Sequence, residues 1–424
     1  MASKIKKQPK IKPMNNFLML FILSAFQLVT GFIGASCGEH FEVKALLALL
    51  CLVATEWVYL IVFYTAFHRR NFELELIAFF LTGVGLVTIG SVYPDSAFKQ
   101  YFMALAGLIG FIILVFLLGH VDLCMKLRPF VAGAAILLLL INLAIAGTTN
   151  GARNWISLGG ITLQPSEFVK VAFIFVGAAT LEKIQTSRNI ILYIVFSAGC
   201  VGSLILMRDF GTALIFFITF LIIAFMTSGD IKTIILAIAS AVMGGAIVLK
   251  YKSYVLRRFS VYRHVWDDPY KWGMQQTRVL VGIASGGLFG VGIGNGYVRT
   301  YYAPVSDSIF GVICEEWGLI FGITLILAFV AIAVSALINS IASRSAFYSI
   351  AAIAGAGLLL FQCGLNVFGI TDILPLTGVT VPFISLGGSS MISCWAILAF
   401  IKAADVRTYN YLGSRAKAEK GGVR

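Results

Sequence analysis

The sequence predicts an all-α polytopic membrane protein, and three observations predict it. Of its 424 residues, 59% are hydrophobic and 12% charged, where an ordinary soluble domain carries about 25% charged residues. Mean hydropathy is +0.94, more apolar surface than a soluble fold can hide. Apolar runs long enough for a hydrocarbon core of ~30 Å recur from end to end. No polar stretch exceeds the 251–308 segment, so no independent soluble domain fits, and one polytopic domain spans 16–403 between basic tails at 1–15 and 404–424.

Taken in order, MASKIKKQPKIKPMNN is basic and runs into an apolar stretch too long for a signal-peptide core, without a small-residue cleavage site. It reads as a cytoplasmic tail. Apolar runs follow at 16–36, 44–67, 74–92, 101–119, 129–147, 167–182, 190–207, 210–228, 232–250, 309–339, 347–370 and 380–403, which gives twelve spans. The run at 167–182 is short and carries Glu167 and Lys170, and that at 380–403 opens on Gly387-Gly388-Ser389-Ser390. Both are candidates for partial re-entrance.

An even number of spans puts both termini on one side, and charge says which. Nineteen of the 32 Lys and Arg residues fall in the two tails and the even-numbered loops, the bias expected of cytoplasmic segments. The external connections are then 148–166 and 251–308. The second violates the rule, since 250–307 holds eight Lys/Arg against Asp267, Asp268 and Asp307. Long loops translocate largely regardless of charge, so length permits the excess, and an anionic ligand on the outer face would use it. A solvated charge run or attraction to anionic headgroups is the plainer alternative. The net charge of +13 follows from topology, and no nucleic-acid face is built, because the cations flank apolar segments. Seven cysteines are scattered singly without paired spacing, which indicates neither zinc nor a disulfide framework.

Five polar segments interrupt the apolar pattern. In TTNGARNWISLGGITLQPSEFVK (148–170), Asn150-Gly151 signals a turn and Pro165 a helix start. Arg153 and Trp155 fall at the outer interface, where a belt aromatic is the ordinary use of Trp. Glu167 and Lys170 share a helical face at the spacing of a mutual pair, yet ionisable groups entering a span are functional candidates. Arg208-Asp209-Phe210-Gly211 is a charged break, either a solvated turn or part of a site. The 254–296 stretch is basic and aromatic, then Gly-rich; no strand precedes its glycines, so a dinucleotide loop does not fit. In YYAPVSDSIFGVICEEWGLIFG (301–322), Asp307 sits at the mouth of a long apolar helix as a base, a cation ligand or an N-cap, and Glu315 and Glu316 follow within that helix. Finally, Pro375, Pro382 and the Gly/Ser cluster interrupt 366–391, as in the broken helices that line membrane cavities.

Together these segments resemble the SEDS family (shape, elongation, division and sporulation; the RodA/FtsW/SpoVE proteins). NGARNWISLGG and QPSEFVK resemble the family's NGA-x-RWI and QPxExxK, and DFGTAL its PDLGT turn. LRRFSVY…WDDP…GMQ resembles its long external loop, GGLFGVGIGNG its Gly-rich segment, SDSIF…EEWG its D-F-I-F…GEELG, and LPLTGVTVPFISLGGSS completes the set in order over 148–403. Arg208 stands in place of the usual proline, Asn154 of Arg, Arg278-Val279 of Gln-Ser and Ser308 of Phe. Five runs precede the first motif where the family plan has three, so the SEDS fold is expected here with ten spans plus two N-terminal ones.

The resemblance implies a peptidoglycan glycosyltransferase that polymerises lipid II at the outer face of a bacterial plasma membrane, for elongation, division or sporulation. Lipid II joins a disaccharide-peptide to an isoprenoid through a pyrophosphate, so it calls for an apolar groove, a cationic clamp and an external carboxylate. Asp307 aligns with the family's essential loop aspartate and would be the catalytic base. Arg153, Lys170, Arg257 and Arg258 would bind the pyrophosphate, Trp155 would face a sugar ring, and Glu167 would hold Lys170. A divalent cation, Mg2+ or Mn2+, would supplement the clamp, although no motif names its ligands. Implied partners are lipid II, a class B penicillin-binding protein (transpeptidase) and other divisome or elongasome membrane proteins, with no nucleic acid. A flippase of the same lipid-linked precursor is the rival, since it would use the same groove without forming a bond.

Overall fold

A computed structural model of the chain describes residues 15–38, 40–149, 152–158, 161–181, 187–232, 235, 238–239, 260–301 and 303–409. Five long helices lead: α1 (Asn16–Ala35), α2 (Val43–Thr65), α3 (Glu73–Val92), α4 (Pro94–Leu118) and α5 (Val121–Ile145). Asn15 opens α1 by accepting from the amides of Phe17 and Leu18 at 3.1 and 3.3 Å, and Pro94 opens α4, where its missing N–H is no loss. Then come α6 (Pro165–Leu181), α7 (Ser187–Leu206), α8 (Phe210–Ser228), α9 (Met274–Gly286), α10 (Ile309–Trp317), α11 (Leu319–Ile341), α12 (Ala346–Ile370) and α13 (Gly388–Ala404).

Eleven of the twelve expected runs are thus helical, and the remaining one, 232–250, lies largely outside the described residues. Among the described residues, nine helices are long and apolar enough to cross a membrane. The protein is a multi-pass membrane protein. α6 and α13 each have 17 residues, ~26 Å of helix, and both are buried along most of their length. A helix apolar on every side belongs in a core. Here α13 packs chiefly on α4 and α12, and α6 lies against α5 and α12.

Two segments depart from the hydropathy pattern. The 148–166 connection, expected as an external loop, holds three antiparallel strands in the order β1-β2-β3: β1 (Gly147–Thr149), β2 (Ala152–Leu158) and β3 (Ile161–Leu163). Thr149 pairs with Ala152 on either side of the Asn150-Gly151 turn signal. The second departure is the run 309–339, which is two helices and not one. The chain breaks at Gly318 (φ 91°), and a Cβ on Gly322 would meet Cys314 Sγ and the Phe310 ring. In a straight helix Phe310 and Gly322 would stand ~18 Å apart, so α10 folds back along α11. Glu315 and Glu316 therefore end a short helix instead of descending a long one. Likewise the run 380–403 becomes helical only at Gly388.

A polar knot ties both ends of the helical domain together. Glu75, at the start of α3, accepts from Arg69 Nη2 (2.8 Å), Lys402 Nζ (2.8 Å) and Tyr59 OH (3.0 Å), and all four side chains are buried. Asn71 donates to Asp405 at 2.7 Å. Burial opposes ionisation of Asp405, but Arg407, Lys402 and Asn71 more than offset it and hold its carboxyl below the usual range.

Candidate active site

Asp307 closes the loop that leads into α10. Ser308, and not Asp307, holds the N-cap position of that helix, without a side-chain capping hydrogen bond. The Asp307 main chain is fixed from α12, whose Asn366 Nδ2 donates to Asp307 O (2.9 Å) and to Val379 O (2.6 Å). That one amide binds the loop before α10 to the segment after α12. Further bonds repeat the link: Ser385 Oγ donates to Ser306 O at 2.7 Å and the Leu386 amide to Val305 O at 2.8 Å. Gly378 faces the carboxylate, and a Cβ there would lie 3.4 Å from Asp307 Oδ2. Because Gly378 also has a positive φ of 73°, glycine serves both the backbone and the space beside the acid.

The charged break before α8 meets the same segment from the other side. A Cβ on Gly211 would touch Val379 and Thr377. Asp209 caps α8 by accepting from the Thr212 amide at 3.0 Å, and it accepts from Asn154 Nδ2. Asn142, on α5, donates to Asn154 Oδ1 at 3.2 Å. The break is therefore a built corner, not a solvated turn.

Beneath this rim lies the Glu167–Lys170 pair. Lys170 Nζ stands 2.7 Å from Glu167 Oε1 and donates to Gln362 Oε1 at 2.9 Å. Ser393 Oγ donates to Glu167 Oε2 at 2.6 Å, and Gln362 Nε2 donates to Thr380 O at 3.0 Å. Pair and partners are all buried apart from the half-buried Thr380, with Lys170 1% and Glu167 4% exposed. Sequence reasoning expected Lys170 to contact substrate; within the chain its ammonium braces α6 against α12. Arg153 is exposed on β2 and its amide donates to Met207 O at 2.9 Å, while Trp155 is half-buried two residues on. Arg257 and Arg258 lie outside the described residues.

Glu315 and Glu316 serve the Gly-rich loop. Glu315 Oε2 accepts from the Val298 amide (2.8 Å), Glu316 Oε2 from the Gly294 amide (2.9 Å), and Arg299 stands 3.6 Å from Glu316. The amides of Val291 and Gly292 reach the carbonyls of the two glutamates at 3.0 Å each. Sequence reasoning missed Asn366, Gln362, Gly378 and Asn154. The first two carried a usable signal, as polar side chains inside an apolar span.

The profile of the cell cycle protein family FtsW/RodA/SpoVE matches residues 77–410. The chain belongs to this family. FtsW/RodA/SpoVE relatives include a probable peptidoglycan glycosyltransferase FtsW of Allochromatium vinosum, 33% identical over 69% of this chain and 75% of that protein. The stage V sporulation protein E of Bacillus subtilis is 29% identical over 75% of this chain and 92% of its own length. Among solved structures, a chain from work on the structural coordination of polymerization and crosslinking by a peptidoglycan synthase complex superposes with a TM-score of 0.66 at 25% identity, over 78% of this chain and 96% of that one. RodA of Thermus thermophilus shares the fold with a TM-score of 0.59 at 24% identity, over 80% and 97%. The family match begins inside α3, so α1 and α2 precede it.

Proposed function

We propose that this FtsW/RodA/SpoVE protein is a peptidoglycan glycosyltransferase that polymerises lipid II at the outer face of a bacterial plasma membrane, with Asp307 as general base. The observation that carries the reading is the setting of Asp307: an acid outside the cap position, pinned through its main chain by Asn366 and facing a residue without a side chain. A fixed main chain beside a residue without a side chain suits a group that must meet a substrate hydroxyl. In the reaction Asp307 takes the proton of the acceptor hydroxyl as its oxygen bonds to the donor's anomeric carbon. The bond from that carbon to the pyrophosphate oxygen breaks, and its electron pair leaves with the lipid pyrophosphate.

Trp155 would offer its ring to a sugar and Arg153 its charge to the head group, both from β2. Glu167 and Lys170 would act one layer down by holding α6, α12 and α13 in register under the rim. Among the described residues no three His, Cys, Asp or Glu side chains converge. Mg2+ or Mn2+ commonly needs only one or two carboxylates beside substrate phosphates, so a cation would be held mainly through the donor's pyrophosphate. Both termini are read as cytoplasmic from the charge bias, and a class B penicillin-binding protein is read as the partner, supported by the similarity to a chain from a peptidoglycan synthase complex. The names of the relatives favour bond formation over a flippase. Purified protein incubated with lipid II alone and with its transpeptidase partner tests this: glycan polymer in either reaction is expected. Transfer of lipid II across vesicle membranes without polymer in both would overturn it.

A further inference from the structure

We infer that Arg278, held between Tyr270 and Tyr301, forms an oxyanion subsite beside Asp307 that takes a phosphate of the lipid-linked donor. The choice of phosphate rests on the polymerase reading; the shared chemistry is an oxyanion, phosphate or carboxylate. Arg278 lies on α9 one turn after Gln275, on the same helical face. Gln275 Nε2 donates to Ser308 Oγ at 2.9 Å, so that face is fixed to the residue following Asp307. The next residue, Val279, packs so tightly on α10 that a Cβ on Gly311 would come within 2.7 Å of it. The helix that carries Arg278 is thus docked at the site.

The guanidinium Cζ stands 5.8 Å from the Tyr270 ring centroid and 5.1 Å from that of Tyr301, and Tyr301 is packed edge-on by Tyr297 at 4.7 Å. Aromatic faces fix the plane of a guanidinium but supply no hydrogen-bond acceptor in that plane. Arg278 Nε is buried without a hydrogen-bond partner. Arg69 pairs with Glu75, Arg299 with Glu316 and Arg407 with Asp405, whereas Arg278, like Arg344 over the rings of Tyr348 and Tyr409, has no carboxylate partner among the described residues. A planar cation with an unfilled edge is matched by two oxygens of a phosphate.

The reaction gives the location meaning. Displacement at an anomeric carbon sets the attacking hydroxyl and the leaving pyrophosphate on opposite sides, so a base and a leaving-group clamp approach one rim from different elements. Asp307 comes from the loop before α10 and Arg278 from α9. Gln keeps a polar, hydrogen-bonding side chain without the charge, so Arg278→Gln is a replacement the fold should accept.

The test is binding of undecaprenyl pyrophosphate to the purified full chain in nanodiscs, beside a soluble disaccharide-pentapeptide that lacks the pyrophosphate. Arg278→Gln should weaken undecaprenyl pyrophosphate binding ~10-fold or more and flatten its salt dependence. Arg278→Lys should fall between, because it keeps the charge and loses the fork. Unchanged affinity for undecaprenyl pyrophosphate in Arg278→Gln, at an unchanged melting temperature, would overturn the subsite. Weakened binding of the disaccharide-pentapeptide alone would overturn the phosphate assignment in favour of a peptide carboxylate. Neither arm requires turnover, so a wild type that binds but makes no polymer would defeat the polymerase reading and leave the oxyanion subsite standing.

Discussion

Lys170 and Glu167 are buried in the helical bundle within hydrogen-bonding distance of each other. Such a pair is weak evidence of net stability, but removing one partner strands the other charge in a low-dielectric interior. Lys170→Met should therefore destabilise the protein by about 3–5 kcal/mol, read as a lower melting temperature in detergent. The double variant Glu167→Gln with Lys170→Met should recover part of that loss. Equal loss in the single and double variants would mean that the two charges are not coupled. The spacing of the pair was legible as a helical i, i+3 contact. Its other partners were not: Gln362 and Ser393 reach it from 192 and 226 residues away, a proximity that only tertiary packing creates.

At the scale of elements, the break between α10 and α11 places both Asp307 and the Gly-rich loop. Gly318 has φ 91°, and a Cβ there would stand 2.3 Å from Leu288 O. Strain and overlap act together in Gly318→Ala, which should cost at least ~1–3 kcal/mol and impair polymerisation by shifting α10 off the loop. A silent Gly318→Ala would restore the single helix that hydropathy suggests. Hydropathy could not see this break, because residues on both sides of Gly318 are apolar and a reversal leaves the running average unchanged. Glu315-Glu316 was the visible hint, since two acids in one helix need an internal partner. That partner is the backbone of the glycine loop. The strands at 147–163 escaped for a different reason: they are short, and no long period identifies them.

Across the whole molecule, polar chemistry gathers at two levels. The Glu75 knot joins the start of α3 to the end of α13, while the motifs from Asn154 to Ser390 converge around Asp307 although they are spread over much of the chain. Membership of the fold was legible because the order of motifs and spans is written in sequence. Which polar groups meet was legible only in part, as Asp307 shows: the acid stood out, and its supports Asn366 and Gly378 did not. The central claim, that Asp307 acts as a base and not as a structural acid, is tested most directly by single-turnover polymerisation of lipid II by Asp307→Asn. The account predicts a loss of roughly 10²–10⁴-fold with lipid II binding retained, and polymerisation at a near wild-type rate would contradict it.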